Sequence, residues 1–260
     1  MNPACTFTAE EWALLAGPLR LKTFAERDLQ RCLAASDLLQ EEVCARLLDL
    51  LTPVIGSPSP AVTASLLAKR LAFLATGACL YAMSVYDKGL QLSLDNTVIE
   101  YGHDEGRWTS ALPLHQPQPF AYAAGERDAW RQAIVAALFA GLLKPLWQSF
   151  ARVSGISLRI LWDNTAARVY SLYEKRMAKI QSAAVRERCA ADFAWLLNVA
   201  EPALFGLDYN PLRHFRRPLT LLDDGQRSVR FRRTCCFYYQ ASEPVEYCST
   251  CPLLRPRKCR

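Results

Sequence analysis

AVTASLLAKRLAFLATGACLYAMSVY, residues Ala61 to Tyr86, decides what kind of fold this chain can adopt. Val62, Leu66, Leu67, Leu71, Leu74, Ala78 and Tyr81 recur every three or four residues, the period of a helix. From Leu71 to Tyr86 sixteen residues pass without a charge, with Lys69 and Arg70 just before them. A membrane span takes about 20 such residues, so the stretch reads as a helix buried in a protein core. Ala133 to Leu143 is apolar too, but shorter still.

Working towards the N-terminus, the loop GSPSP precedes this helix. Ahead of it, Ser36 or Asp37 can open a helix through Leu38, Leu39, Val43, Leu47, Leu48 and Leu51 that Pro53 stops. Thr8 and Glu11 have capping-box spacing ahead of Trp12, Leu14 and Leu15. The N-terminus, MNPACTFTAEEWALL, lacks the basic start and apolar run of a secretory leader. A cytoplasmic protein without a transmembrane span is the expectation, with peripheral membrane contact left open.

Working towards the C-terminus, Leu90, Leu92 and Leu94 alternate with polar residues, Asp95-Asn96 can turn, and Val98, Ile99 and Tyr101 return, which predicts strands. Pro113 to Pro119 is Pro/Gln-rich loop. Trp130, Ile134, Leu138 and Leu142 mark a helix that Pro145 bends or ends. From Ile156 the period becomes two: Ile156, Leu158, Ile160 and Trp162 share a strand face. Asp163-Asn164-Thr165 then offers N-caps to a helix along Ala166, Val169, Tyr170, Tyr173, Met177 and Ile180. A further helix covers Ala184 to Glu201 and stops at Pro202. Leu219 to Leu222 and Val229 to Thr234 flank Asp223-Asp224-Gly225-Gln226, a hairpin turn. The fold class is α+β: a mainly helical body with small antiparallel hairpins and a C-terminal cysteine-bearing segment. Residues 1–212 form the scaffold and 213–260 the basic, cysteine-rich segment, integrated into one domain.

Composition agrees with a packed protein: 51% of the 260 residues are apolar and 22% charged, which excludes wholesale disorder. The net charge of +6 is uneven. From Arg213 onward eleven basic residues face four acidic ones, a net +7, so the remainder carries −1. Five of the ten cysteines lie in this tail: Cys235, Cys236, Cys248, Cys251 and Cys259. Clustered cysteines in a cytoplasmic protein bind metal or do redox work more often than they form disulfides.

Cys235-Cys236, eleven intervening residues, then Cys248-Ser249-Thr250-Cys251 is the most informative spacing in the chain. The CxxC can set two sulfurs on one metal through a tight turn. The adjacent pair diverges in an extended strand, so the backbone must turn there for both thiolates to converge. Four thiolates suit an iron–sulfur cluster or zinc, and redox-active thiols are a third reading. An adjacent pair makes a poor zinc knuckle and sits more easily on the broader two-iron cluster.

Arg232-Arg233-Thr234-Cys235-Cys236 followed by Cys248-x-x-Cys251 resembles the FhuF-type ferric-siderophore reductase family. Ile160-Leu161-Trp162-Asp163-Asn164-Thr165 is similar to that family's strand-to-helix segment, and Asn210-Pro211-Leu212 to its lead into the last hairpin. The resemblance implies a [2Fe–2S] cluster on Cys235, Cys236, Cys248 and Cys251, with no catalytic residue beyond the cluster. It also implies one-electron reduction of a ferric siderophore of the hydroxamate type, fed by a ferredoxin or reductase as external donor. One departure is plain: eleven residues separate the cysteine pairs here, where the family usually has ten. Cys259, eight positions after Cys251, reads as a spare thiol near a frayed end.

Arg230, Arg232 and Arg233 stand just before the first cysteines, where guanidinium groups can raise a cluster's potential or steer an anionic chelate. Trp162 and Asn164 are candidates for a ligand pocket, against the plainer reading of a core ring and a helix cap. His103, His115 and His214 have no metal-site spacing. Glu41-Glu42 and Asp223-Asp224 are solvated face and turn, and no GxGxxG or GxxxxGK[ST] occurs, so no bound nucleotide cofactor is expected. Two alternatives stay open: a basic zinc module that binds nucleic acid, and an iron–sulfur redox sensor without turnover. No nucleic-acid partner is expected, because the tail's basic residues are not interleaved into a recognition helix.

Overall fold

A computed structural model describes residues 5–222 and 227–256. It is 56% helical, with small two-stranded sheets. Helix α1 (Ala9–Ala16) opens on the capping box expected of it. Thr8 N–H donates to Glu11 Oε2 at 2.8 Å and Glu11 N–H to Thr8 Oγ1 at 3.2 Å. Helix α2 (Glu41–Ile55) does not start at Ser36 or Asp37: those residues lie in a short 3₁₀ turn, Ala35–Leu39, that precedes it. Nor does it stop at Pro53, but two residues later, where Gly56 turns left-handed at φ 72°.

Helix α3 (Pro60–Tyr86) is the axis of the molecule. Ser59 caps it, Pro60 occupies its first turn, and most of its residues are buried on every side. Its most extensive partner is α6, introduced below, with α2 and α7 also against it. By length and composition α3 could cross a membrane, but 83% of its most apolar window is covered by protein.

Helices α4 (Arg127–Ala136) and α5 (Lys144–Ser154) are joined without a break by a π-helical stretch, Ala137–Leu143. Pro145 therefore does not end the helix. A π turn is wider than an α turn and relieves the clash between a proline ring and the carbonyl four residues back. The continuous rod Arg127–Ser154 is also long and apolar enough to span a membrane, with 56% of its window buried.

Helix α6 (Leu158–Ser171) corrects the strand expected over 156–162. Leu161, Trp162, Thr165, Ala166 and Val169 are buried at helical spacing, while Leu158 is exposed. Asp163, Asn164 and Thr165 are thus not caps but fully buried residues in mid-helix. A π turn, Leu172–Arg176, continues the helix. Helices α7 (Ala183–Asn198) and α8 (Pro211–Phe215) complete the set, Asn210 capping α8 through Leu212 and Arg213 N–H.

The strands serve as clamps. Strand β1 (Leu21–Thr23) and strand β2 (Cys32–Ala34) are followed by β3 (Val98–Glu100), β4 (His103–Asp104), β5 (Arg107–Trp108) and β6 (Leu112–Leu114). β1 runs parallel to β6, and β2 antiparallel to β3. Leu90 to Leu94 forms no strand, so the expected local hairpin with Val98–Tyr101 gives way to pairing with a segment more than sixty residues upstream. Strands β7 (Thr220–Leu221) and β8 (Ser228–Val229) form the hairpin expected before the cysteines. Its turn, Asp223 to Gln226, lies outside the described residues, as does Cys259.

Candidate metal centre

After β8 the chain lies across α3 and α6. Cys236 C=O accepts from Ser65 Oγ at 3.0 Å, and Ser65 is in turn held by Asn164 Nδ2 at 3.1 Å. Thr234 donates to Asp163 Oδ2 through its N–H at 2.6 Å and its hydroxyl at 2.7 Å. Asp163 directly and Asn164 through Ser65 are therefore the seat of the C-terminal segment. Trp162 is different: its ring is 1% exposed, 6.4 Å from Phe139, and belongs to the core rather than to a pocket.

Both cysteine pairs turn as their chemistry requires. Phe237 adopts φ 62°, which reverses the backbone directly after Cys236, and its N–H reaches Cys235 Sγ at 3.4 Å. At the other pair, Cys251 N–H donates to Cys248 C=O at 2.9 Å, closing a four-residue turn. Arg232 N–H fixes that turn through Thr250 C=O at 3.0 Å.

The four thiols meet as two couples. Cys236 Sγ and Cys248 Sγ are 3.7 Å apart, while the Cys235 thiol interacts with that of Cys251. Metal–thiolate bonds of about 2.3 Å at a tetrahedral angle hold two sulfurs roughly 3.8 Å apart, so the first couple already has the span for one metal atom. Among the described residues no three His, Cys, Asp or Glu side chains converge on a single point. A two-plus-two arrangement matches two metal centres better than one tetrahedral ion.

Positive charge surrounds the Cys236–Cys248 couple. Lys69 Nζ donates to Cys236 Sγ at 3.3 Å, and its ammonium lies 5.3 Å from the centre of the Tyr238 ring. The hydrogen bond from Cys248, aided by Lys69 and Arg232, pulls the Cys236 thiol down to about 4. Its partner Cys248 is pushed up by that same bond and by burial. Burial also raises Cys235. Arg168 is held below the usual guanidinium range by burial and by neighbouring Arg232.

Arg232 is the least satisfied group in the site. Its side chain is 2% exposed and its Nε is 3.8 Å from Asp163 Oδ2. None of its three nitrogens has a hydrogen-bond partner among the described residues. A buried guanidinium without partners is costly, and a bound anionic group beside the thiols would relieve it. The donor set and its surroundings thus fit a thiolate-held, negatively charged group of two metal atoms.

Arg230 and Arg233 are placed differently from Arg232. Arg230 is bound to Glu174 at 2.8 Å and to the Arg217 carbonyl, and Arg233 is exposed. Sequence reading missed Ser65, Lys69, Asp163 and Arg168. The signal available was a polar pair four residues apart on one helix face, Ser65 and Lys69 on α3 and Asn164 and Arg168 on α6.

Two family models match the chain. The one described as ferric iron reductase FhuF-like transporter covers residues 65–229. The FhuF 2Fe-2S C-terminal domain covers residues 232–253, which contain all four cysteines. No curated protein matches the chain.

Proposed function

The chain belongs to the FhuF-like ferric iron reductase family and carries its 2Fe-2S C-terminal domain, and on that premise we propose how its residues divide the work. The protein is an oxidoreductase that reduces siderophore iron. We assign Cys235, Cys236, Cys248 and Cys251 as the ligands of its [2Fe–2S] cluster. The observation that carries the assignment is the 3.7 Å separation of Cys236 and Cys248 within the matched domain.

When bound, the cluster supplies electrons one at a time, as the ferric-to-ferrous step requires. Hard oxygen donors hold ferric iron far better than ferrous iron, so reduction loosens the chelate. No residue has to act as nucleophile or general acid. Lys69, Arg168 and Arg232 offset the negative charge of four thiolates, and positive charge there favours the more reduced form. These side chains therefore raise the potential, with Arg232 the strongest because it is buried and its guanidinium makes no hydrogen bond among the described residues. Arg230 acts at one remove through Glu174, and Arg233 is left to steer partners.

Residues 1–212 serve as scaffold and 213–260 as the electron-transfer segment. The donor is a separate protein such as a ferredoxin or a reductase, drawn by the basic tail. The reaction is placed in the cytoplasm, where thiols stay reduced, and its substrate is a hydroxamate-type ferric chelate. The test is anaerobic mixing of the reduced protein with a ferric trihydroxamate and a ferrous-specific chromophore. Ferrous iron should appear with wild type and not with Cys248→Ser. Absence of ferrous iron with wild type would refute the assignment of activity to these cysteines.

A further inference from the structure

Between α6 and the β7–β8 hairpin lies a cavity of about 700 Å³, a volume suited to a small-molecule ligand. Cys248 and Thr250 are part of its wall, so whatever fills it lies directly against the thiols. Ala167, Phe215 and Val229 supply an apolar side. The other side is cationic: among the described residues Lys69, Arg168, Lys175, Arg230 and Arg232 line it beside two acids, Asp163 and Glu174.

Neither acid is available to a ligand. Asp163 Oδ2 is taken by Thr234 at 2.6 and 2.7 Å. Glu174 is taken by Arg230 at 2.8 Å and Arg216 at 3.2 Å. With Arg227 set aside, the described lining carries three more positive than negative side chains. Four thiolates, two ferric ions and two sulfides together carry −2 by charge counting, so about one positive charge of that surplus persists once the cluster is in place. Two negative groups side by side would repel, and the excess cations are what allow a second anion to sit next to the first.

We infer that this cavity seats the ferric siderophore and selects chelates of net negative charge; the inference rests on the reductase reading above. Electron balance is simple: one electron leaves the reduced cluster, the bound ferric ion becomes ferrous, and no bond to the protein forms or breaks. Lys175 is the residue to test, because it is exposed at the cavity and has no ion pair among the described residues. Ser171, also exposed there, can be replaced by a bulky ring without disturbing the core.

The experiment uses cluster-loaded protein and two redox-inert gallium(III) trihydroxamates of matched size, one with carboxylate arms and one with a free amine. Titration should show the anionic complex binding about tenfold or more tightly than the cationic one. Lys175→Glu should weaken the anionic complex about tenfold and spare the cationic one. Ser171→Trp should weaken both, and both variants should keep the wild-type visible spectrum. Equal affinity for the two complexes, or affinities untouched by either variant, overturns the inference. The ferric forms separate the two levels. If both are reduced at equal rates while gallium binding shows no preference, the cavity's selectivity falls and the reductase stands. If neither is reduced, the reductase reading falls and takes the inference with it.

Discussion

Two buried charges, Asp192 in the helical body and Arg232 in the C-terminal segment, are treated in opposite ways. Asp192 is 0% exposed, and each of its carboxylate oxygens has two donors. Oδ1 accepts from Arg127 at 2.8 Å and Arg131 at 2.9 Å. Oδ2 accepts from Arg127 at 2.8 Å and Ser84 at 2.9 Å. Arg232 is almost as deeply buried, and its guanidinium finds no hydrogen-bond partner among the described residues. The body closes its charges with hydrogen-bonded ion pairs. The C-terminal segment leaves a cation with only a long ion pair to Asp163, beside two-plus-two thiols that suit a negatively charged group.

The comparison can be broken most forcefully at the thiols. Cys248→Ser should abolish the visible absorption of the purified protein, while Cys259→Ser should spare it; bleaching by the second change would overturn the ligand assignment. Next in size is Asp192→Ala, which strands Arg127 and Arg131 with one carboxylate fewer. Loss of a buried ion-pair partner costs about 3–5 kcal/mol, and denaturant unfolding should show a destabilisation of that order, discounted because Arg127 is a quarter exposed. A change within half a kilocalorie would deny the network its structural role.

Arg232→Gln should behave differently. It removes a buried charge that makes no hydrogen bond among the described residues and only a long ion pair to Asp163, which Thr234 continues to hold, so the cluster-free protein should lose far less stability than with Asp192→Ala. In loaded protein the midpoint potential should fall by something on the order of tens of millivolts, because a positive neighbour is lost. An unchanged potential would detach Arg232 from the site. Arg233→Gln, at an exposed position, is the smallest effect expected: no shift in potential or stability.

The body was legible where one periodicity acted alone. The run from Ala61 to Tyr86 became α3, and Thr8 with Glu11 became the capping box of α1. Reading failed where a helix has two tasks. In α6 the apolar residues face the core while Asp163 bonds Thr234 of the C-terminal segment and Asn164 and Arg168 bond backbone carbonyls of α3, so the sequence alternates and looks like a strand followed by caps. Strand β2 was invisible in principle, since it pairs with β3 through contacts that no local pattern reports. Of the site, the cysteines were legible because few other roles demand that spacing. Lys69 was not, since it reaches Cys236 from a helix 167 positions earlier in the chain.

The most direct measurement is iron, zinc and acid-labile sulfide in freshly, anaerobically purified protein. Two irons and two sulfides per chain, with a visible spectrum lost in Cys248→Ser, are the predicted result. One zinc per chain without sulfide would contradict it.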